Sequence, residues 1–301
     1  FGLKNIPKLL NGLGLFMKNK IILFAFASND LKKSAERLSS QANDSKFYDE
    51  INIITPDKID NVLKSKIKNL FSIGKKRGFG YWIWKPYLLK KIFDKINYGD
   101  IVNYLDIGCH LIKKNSLKFN QYLEFIKQDE NWILPFQYHS NLDYNVKNIS
   151  FPNRDERKYT KGDLLEYFNF YYDTKKTDTP QFWAGCFFIK KTNESIKFLD
   201  EWLSIFDKNF QLIDDTPSIK KNLNDFEENR HDQSVYSLLC KKYNLKSFSA
   251  YECEWAYLNN ERTWQHNKDS PILAKRDLKY SILKRFLRRQ KKNLRRLFKL
   301  R

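Results

Sequence analysis

One aspartate follows a short apolar run in the first half of the sequence. Residues 101–105 are predicted to form a buried strand, Asp106 comes directly after it, and Gly108, Cys109 and His110 follow. In open α/β folds, ligands bind where the carboxyl ends of the strands leave the sheet, and a carboxylate there can bind a metal ion. A helix cap or a turn former is the structural alternative for such an aspartate.

A glycine-punctuated aromatic segment, residues 77–86, precedes that strand. Pro86 suits the first turn of a helix, because its missing N–H would have no partner there. Arg77 and Lys85 are therefore expected near a helix amino terminus, where positive charge is unfavourable unless an anion binds. A phosphate-bearing ligand would account for both basic residues, and solvated surface charge is the alternative.

The elements that must position these residues alternate along the chain. Strands are predicted at residues 21–27, 51–55, 101–105, 132–136 and 182–189, and helices at 31–42, 59–71, from Pro86, 117–126, 195–206 and from His231. Such alternation predicts an α/β fold with a mostly parallel sheet flanked by helices. The polar segments 137–161 and 215–230 are predicted to be loops, with substrate contacts or a simple insertion as alternatives for the first.

The net charge of +20 is concentrated at the end of the sequence. Residues 275–301 contain thirteen Lys or Arg residues and one acid, with apolar residues at helical spacing between them. This pattern predicts a basic amphipathic tail, residues 273–301, bound to an anionic membrane surface. Nucleic acid is the less favoured partner, and docking on the protein's own domain is the structural alternative. The expected location is the cytoplasm, peripheral on the inner face of the cytoplasmic membrane.

The rest of the composition predicts a globular protein. Residues 21–27 form the longest apolar run, far short of the roughly 20 residues that span a bilayer. Residues 1–16 are expected to be an N-terminal extension. The four cysteines are far apart in sequence and contain no CxxC pair, so buried thiols are expected rather than disulfides, above all at Cys186 and Cys240.

Taken in order, these motifs resemble the GT-A glycosyltransferases. The resemblance covers roughly residues 20–270 and is carried by Ala25 and Ser28 at the end of the first strand, the aromatic-basic segment, and the sequences YLDIG, FWAGCFFI and HDQS. It is greatest with retaining bacterial capsule and lipopolysaccharide sugar transferases. The resemblance implies a GT-A-like (Rossmann-like) domain over residues 17–272. It also implies transfer of a sugar from a nucleotide-diphosphate donor to a cell-surface glycan or lipid-linked glycan acceptor.

The resemblance implies a divalent cation, Mn²⁺ or Mg²⁺, bound by a D-x-D motif. Asp106 matches the first acid, but the second position is Gly108, so one carboxylate ligand is missing. His110 and His266 are the candidates to replace it. Lys268, in the same late loop as His266, is expected to contact a phosphate of the donor, as are Arg77 and Lys85.

The remaining site residues also follow from the resemblance. Trp183, Ala184 and Gly185 approximate an Asn-Ala-Gly motif that contacts the donor sugar, with Gln181 or stacking by the indole in place of the missing amide. Asp232 and Gln233 match an Asp-Gln pair beneath the transferring sugar and are the expected catalytic residues. A carboxylate can hold sugar hydroxyls there, and an amide oxygen can face a developing oxocarbenium ion.

Two other classes of protein are alternatives. A nucleotidyltransferase also needs a metal-bound carboxylate, but it usually has a glycine-rich phosphate loop after the first strand, and residues 25–30 contain no glycine. A non-catalytic glycan or lipid binder related to glycosyltransferases would explain the incomplete D-x-D motif.

Overall fold

The computed structural model of the protein describes residues 18–140, 147–276 and 290. The predicted extension, residues 1–16, lies outside the described residues. The predicted tail from residue 277 on also lies outside them, apart from residue 290. The prediction that the described part is an α/β fold is confirmed. None of its helices is both long enough and apolar enough to span a bilayer.

Short strands and helices make up the described chain. The strands are β1 (Ile21–Phe26), β2 (Glu50–Ile54), β3 (Ile101–Leu105), β4 (His110–Leu111), β5 (Ile133–Gln137), β6 (Ile149–Ser150), β7 (Phe182–Lys190), β8 (Phe248–Ser249), β9 (Ala256–Leu258), β10 (Glu261–Thr263) and β11 (Ile272–Leu273). The helices are α1 (Lys32–Ser45), α2 (Asn61–Ser72), α3 (Gly78–Tyr81), α4 (Trp84–Phe93), α5 (Ser116–Lys127), α6 (Glu156–Tyr159), α7 (Gly162–Tyr167), α8 (Thr174–Thr177), α9 (Asn193–Lys208) and α10 (Asp232–Lys242).

The central sheet has the strand order β2-β1-β3-β7-β5-β8 within the described residues. β1 is parallel to β2 and β3, and β5 is parallel to β8. β7 runs antiparallel to both of its neighbours, β3 and β5. All the other strands of this sheet therefore share one direction, as predicted. Two smaller antiparallel pairings, β10-β9-β6 and β11-β4, lie beside it.

Apolar side chains cover both faces of the central sheet. Along β1, Phe24 belongs to the cluster formed with α2, α4, α9 and α10, whereas Ala25 belongs to the cluster formed with α1 and α5. This alternation is the period of two that a strand buried on both faces requires. β3 and β7 are buried along their whole length, so the end of β3 is held rigidly at the centre of the sheet.

The predicted boundaries agree with the structure to within a few residues, and the departures have local causes. α1 continues to Ser45 and ends where Lys46 takes a left-handed backbone conformation, φ 59°. Segment 137–161, predicted to be a loop, contains the short elements β6 and α6. The predicted buried thiols are confirmed, since all four cysteines are free and buried.

Candidate active site

The aromatic segment before α4 forms a left-handed turn. Residues 78–82 all have positive φ values, between 55° and 88°. Left-handed backbone disfavours residues with a side chain by roughly 1–2 kcal/mol each, so outside contacts must stabilise the turn. The Tyr81 hydroxyl donates to Asp215 at 2.7 Å, and the Trp84 indole N–H donates to the Gly78 carbonyl at 3.0 Å. These contacts present Trp82 beside the end of the central sheet.

Lys85 connects four elements at the centre of the site. α4 begins at Trp84 and places Lys85 in its first turn, as predicted, with the side chain only 2% exposed. The Lys85 ammonium donates to the Asp232 carboxylate at the start of α10 and to the Ala184 carbonyl of β7 at 3.0 Å. It also lies 3.9 Å from Asp106 Oδ1 at the end of β3. The buried cation thus hydrogen-bonds one carboxylate and lies within ion-pair distance of the other.

The two carboxylates differ in their surroundings. The Asp106 side chain is 42% exposed, and its Oδ1 accepts a hydrogen bond from the Tyr104 hydroxyl at 2.6 Å. Asp232 is buried. Burial raises the pKa of Asp232 to about 6, with the like charge of Asp106 adding to the rise and the ion pair with Lys85 opposing it. One carboxylate is thus open to ligands, and the other titrates near neutral pH.

A buried polar network holds Gln233 beside Asp232. The Gln233 side-chain amide donates to Gln181 Oε1 at 2.9 Å. Gln181 is fully buried, and its own amide donates to Glu156 Oε1 at 2.8 Å and to Thr160 Oγ1 at 3.0 Å. Gln181 is the residue expected to replace the missing sugar-binding amide. Its side chain is instead hydrogen-bonded inside the protein, where it positions Gln233.

Two clefts meet at these residues. The first has a volume of about 720 Å³ and is lined by Ser28, Lys76 and Tyr104, among others. The second has a volume of about 740 Å³ and includes Lys85 and Asp232. The clefts share a boundary formed by Trp82, Asp106, Trp183, Glu254, Ala274 and Arg276. Each volume is in the range of small-molecule binding sites, so one ligand could bind on either side of Asp106.

Most of the predicted site residues lie at these clefts. The second cleft is lined by Arg77, Lys85, Asp106, Trp183, Ala184, Gly185, Asp232 and Gln233, and the first by Ser28 and again by Asp106 and Trp183. Gly185 has a steric role there, because a Cβ atom at this position would lie 2.4 Å from the Trp183 indole nitrogen. The Trp183 ring therefore packs directly on the backbone of β7.

Four predicted residues are not brought to either cleft. Ala25 is fully buried in the core beneath α1 and α5. His110 lies on β4, where its Nδ1 is 3.4 Å from the Gln41 amide. His266 Nε2 lies 2.9 Å from the carbonyl oxygen of Tyr251, and burial lowers the pKa of His266. Lys268 contributes its backbone carbonyl to a hydrogen bond from Asn115, 2.8 Å away.

The predicted divalent cation is not matched by a ligand set. Within residues 18–140 and 147–276, no three Asp, Glu, His or Cys side chains come together in a way that could hold a metal ion. At the position of the missing acid, a Cβ atom on Gly108 would meet the Arg276 side chain, with 3.4 Å to its Cγ. Because a basic residue stands beside Gly108 and Lys85 lies beside Asp106, the residues present do not fit a resident cation. The Mn²⁺ or Mg²⁺ ion stays a prediction.

Several cleft residues were missed by the sequence analysis. Arg154 and Arg230 come from the two polar segments predicted to be loops, and Arg276 comes from the segment assigned to the tail. Glu254, which borders both clefts, is buried, and burial raises its pKa. None of these side chains follows a recognisable strand end, so only the folding of the loops brings them to the site.

No protein-family model and no curated protein matches this chain. A solved glycosyltransferase involved in glycosylation of the major capsid of PBCV-1 is similar over 88% of this chain and 98% of that one, with a TM-score of 0.41 and 11% identity. Mouse xyloside xylosyltransferase 1 is similar over 87% of this chain and 99% of that one, with a TM-score of 0.45 and 10% identity.

A third similar structure is the galactosyltransferase LgtC in complex with donor and acceptor sugar analogues. It is similar over 78% of this chain and 75% of that one, with a TM-score of 0.34 and 15% identity. All three similarities have TM-scores below 0.5 and identities of at most 15%. Because the identity is so low, the function has to be inferred from the residues of the site.

Proposed function

We propose that the protein is a glycosyltransferase that moves a sugar from a nucleotide-diphosphate donor to a hydroxyl group of a cell-surface glycan. The observation that carries the proposal is the buried Lys85 ammonium, which holds Asp232 and lies 3.9 Å from Asp106 where two clefts meet. The clefts have room for a donor on one side and an acceptor on the other.

Asp232 and Gln233 are the proposed catalytic residues. As the sugar leaves its diphosphate, positive charge develops on the ring, and a preorganised carboxylate stabilises that charge. Lys85 keeps Asp232 in place by its hydrogen bond and favours the ionised form. Since the Gln233 amide nitrogen donates to Gln181, the amide oxygen is the group left to face the developing charge. Retention of the anomeric configuration is part of the proposal, by the resemblance of the motifs.

The departing diphosphate is proposed to bind in the first cleft beside Asp106. Its negative charge needs cationic partners, and Arg276 and Lys76 line this cleft. Lys85 is a poor partner for phosphate because its ammonium is buried and already bonded to Asp232 and Ala184. In this arrangement Arg276, next to Gly108, compensates the leaving-group charge, and no step depends on a metal ion.

Hydrolysis and transfer assays test the proposal. A panel of nucleotide-diphosphate sugars is incubated with the protein, with and without Mn²⁺ and with a chelator, and release of nucleoside diphosphate is measured. Asp232→Asn and Asp106→Asn are each expected to lower kcat by about 100-fold or more, the usual size of a lost electrostatic contact in a transition state. Asp57→Asn, at an exposed position outside both clefts, is the matched control.

The results separate the alternatives. Release from at least one donor, lost in both site variants and kept in the control, supports a transferase. Absence of release from every donor under all three metal conditions contradicts it, and donor or glycan binding without release favours the non-catalytic binder that the incomplete D-x-D motif suggested.

A further inference from the structure

The second cleft contains basic side chains that the proposed transfer does not use. Its lining includes Arg77, Lys85, Arg154, Arg230, Arg262 and Arg276 against the acids Asp106, Glu228, Asp232 and Glu254. Lys85 pairs with Asp232, Arg77 pairs with Asp215 at 3.3 Å, and Arg276 is assigned to the donor diphosphate. Three guanidinium groups, those of Arg154, Arg230 and Arg262, are left without a role in the reaction.

Aromatic rings hold these three groups in place. The Arg154 guanidinium carbon lies 4.7 Å from the centroid of the Tyr138 ring, and that of Arg262 lies 4.1 Å from the Trp255 ring. The Arg230 guanidinium carbon lies 3.9 Å from the Tyr159 ring. A guanidinium stacked on a ring keeps the N–H groups at its edge available for hydrogen bonds. The stacking therefore fixes the direction of the donors without satisfying them.

The charges of this cluster are unequally compensated: burial lowers the pKa of Arg154, but Tyr138 and Glu254 raise it overall above the ordinary value. Burial lowers the pKa of Arg230, and the neighbouring positive charge of Arg154 lowers it further. The Arg154 Nε atom is buried and has no hydrogen-bond partner among the described residues. Placing two guanidinium groups close together in a cleft is unfavourable unless an anion binds between them.

We propose that the second cleft binds an acceptor that carries a negative charge, a carboxylate or a phosphate on the glycan, through Arg154, Arg230 and Arg262. This rests on the proposed glycosyltransferase function. Guanidinium groups match carboxylate and phosphate oxygens in paired hydrogen bonds. Trp183 and Trp264 also line this cleft, and aromatic rings pack well against sugar rings. A neutral glycan would add no counter-charge beside the neighbouring Arg154 and Arg230.

Binding measurements on the full-length protein test this inference. The probes are methyl β-glucoside, methyl β-glucuronide and methyl β-glucoside 6-phosphate, and their dissociation constants are measured by calorimetry or ligand-observed NMR. Both charged probes are expected to bind at least about tenfold more tightly than the neutral one, as one charge-assisted hydrogen bond provides. The tighter of the two charged probes identifies carboxylate or phosphate as the recognised group.

Variants locate the binding. Arg262→Gln changes an exposed side chain, so folding is retained, and it should weaken binding of the charged probes several-fold while leaving the neutral probe unaffected. Arg154→Lys keeps the charge but loses the paired donors and should also weaken binding. Lys197→Gln removes one exposed positive charge from α9, outside both clefts, and is the matched control. Thermal melts show whether each variant is folded.

Two outcomes would overturn the inference. One is equal binding of the neutral and charged probes, and the other is charge-selective binding that both arginine variants retain. Donor hydrolysis by the parent protein is measured separately. Hydrolysis without charge-selective binding contradicts only this inference, whereas absence of hydrolysis with every donor contradicts the proposed function itself.

Discussion

Burial and the ion pair with Lys85 shift the pKa of the Asp232 carboxyl group in opposite directions. Burial and the charge of Asp106 raise its pKa to about 6, although Lys85 lowers it. The proposed chemistry needs the ionised carboxylate. We therefore expect kcat/KM to rise with pH through about 6 and to level off above it, which a pH profile at donor concentrations well below KM measures. A rise centred near pH 4, the ordinary range of an aspartate, would contradict the assignment.

The raised pKa of Asp232 also makes the free energy of unfolding depend on pH. The folded-state pKa lies above the ordinary value of 3.8, so the folded protein binds this proton more tightly than the unfolded chain does. The contribution of Asp232 to the free energy of unfolding therefore falls as pH rises from about 4 to about 6. In Asp232→Asn this dependence is expected to be weaker over that window, as measured by urea unfolding. An unchanged slope would show that Asp232 does not titrate there.

Gly185 and Gly108 provide a matched pair of substitutions at the site. A Cβ atom at residue 185 would lie 2.4 Å from the Trp183 indole, whereas one at residue 108 would be in ordinary contact with Arg276, at 3.4 Å. Gly185→Ala is expected to lower the free energy of unfolding by about 1–3 kcal/mol because the indole must move. Gly108→Ala should change it by less than about 0.5 kcal/mol. Urea unfolding measures both, and equal losses would contradict the close packing of Trp183.

At the scale of elements, a buried ion pair between Lys241 and Glu156 connects α10 to α6. Glu156 Oε2 lies 2.9 Å from the Lys241 ammonium, and both side chains are at most 4% exposed. Glu156→Gln would leave the ammonium buried without its counter-charge, which is expected to destabilise the protein by about 3–5 kcal/mol in urea unfolding. Because Glu156 also accepts from Gln181, which holds Gln233, kcat should fall as well.

An exposed ion pair is the control for that variant. Glu166 lies 3.3 Å from Lys220, and the two side chains are 51% and 31% exposed. Since solvent screens such a pair, Glu166→Gln should change the free energy of unfolding by less than about 1 kcal/mol and leave kcat unchanged. Similar losses in the two variants would mean that the buried network does not stabilise α10.

The aromatic segment illustrates what local pattern can and cannot predict. Its glycines and Pro86 predict a turn followed by a helix, and Lys85 is in the first turn of α4 as expected. The left-handed conformation of residues 78–82 was not predicted. Phe79 and Trp82 have no local preference for positive φ, so this conformation is decided by distant contacts such as the one between Tyr81 and Asp215.

At the scale of the whole molecule, the basic tail is proposed to hold the protein on the cytoplasmic face of an anionic membrane. Thirteen Lys or Arg residues occur in residues 275–301, and each near the surface contributes on the order of 1 kcal/mol. We expect the protein to float with liposomes containing phosphatidylserine and not with neutral liposomes, and to be released at high salt. A variant with four of the basic residues after position 283 changed to Gln should bind less.

Nucleic acid is the competing partner for the same charge. Retention of a DNA or RNA duplex at physiological salt, together with no preference for anionic liposomes, would contradict the membrane proposal. Donor hydrolysis by the tail variant in solution provides the control, because the variant leaves unchanged every described residue that lines the two clefts.

The sequence by itself determined the buried strands and the helices between them, because burial imposes periods of two and 3.6 residues on the chain. It also placed Asp106 at the end of a strand and Asp232 at the start of a helix. It also located Lys85 at a helix start. Only the tertiary structure decided that Lys85 joins Asp106 and Asp232, and that Arg154, Arg230 and Arg276 line the same clefts. These residues are far apart in sequence and carry no periodic pattern, since loop positions depend on contacts with distant parts of the chain.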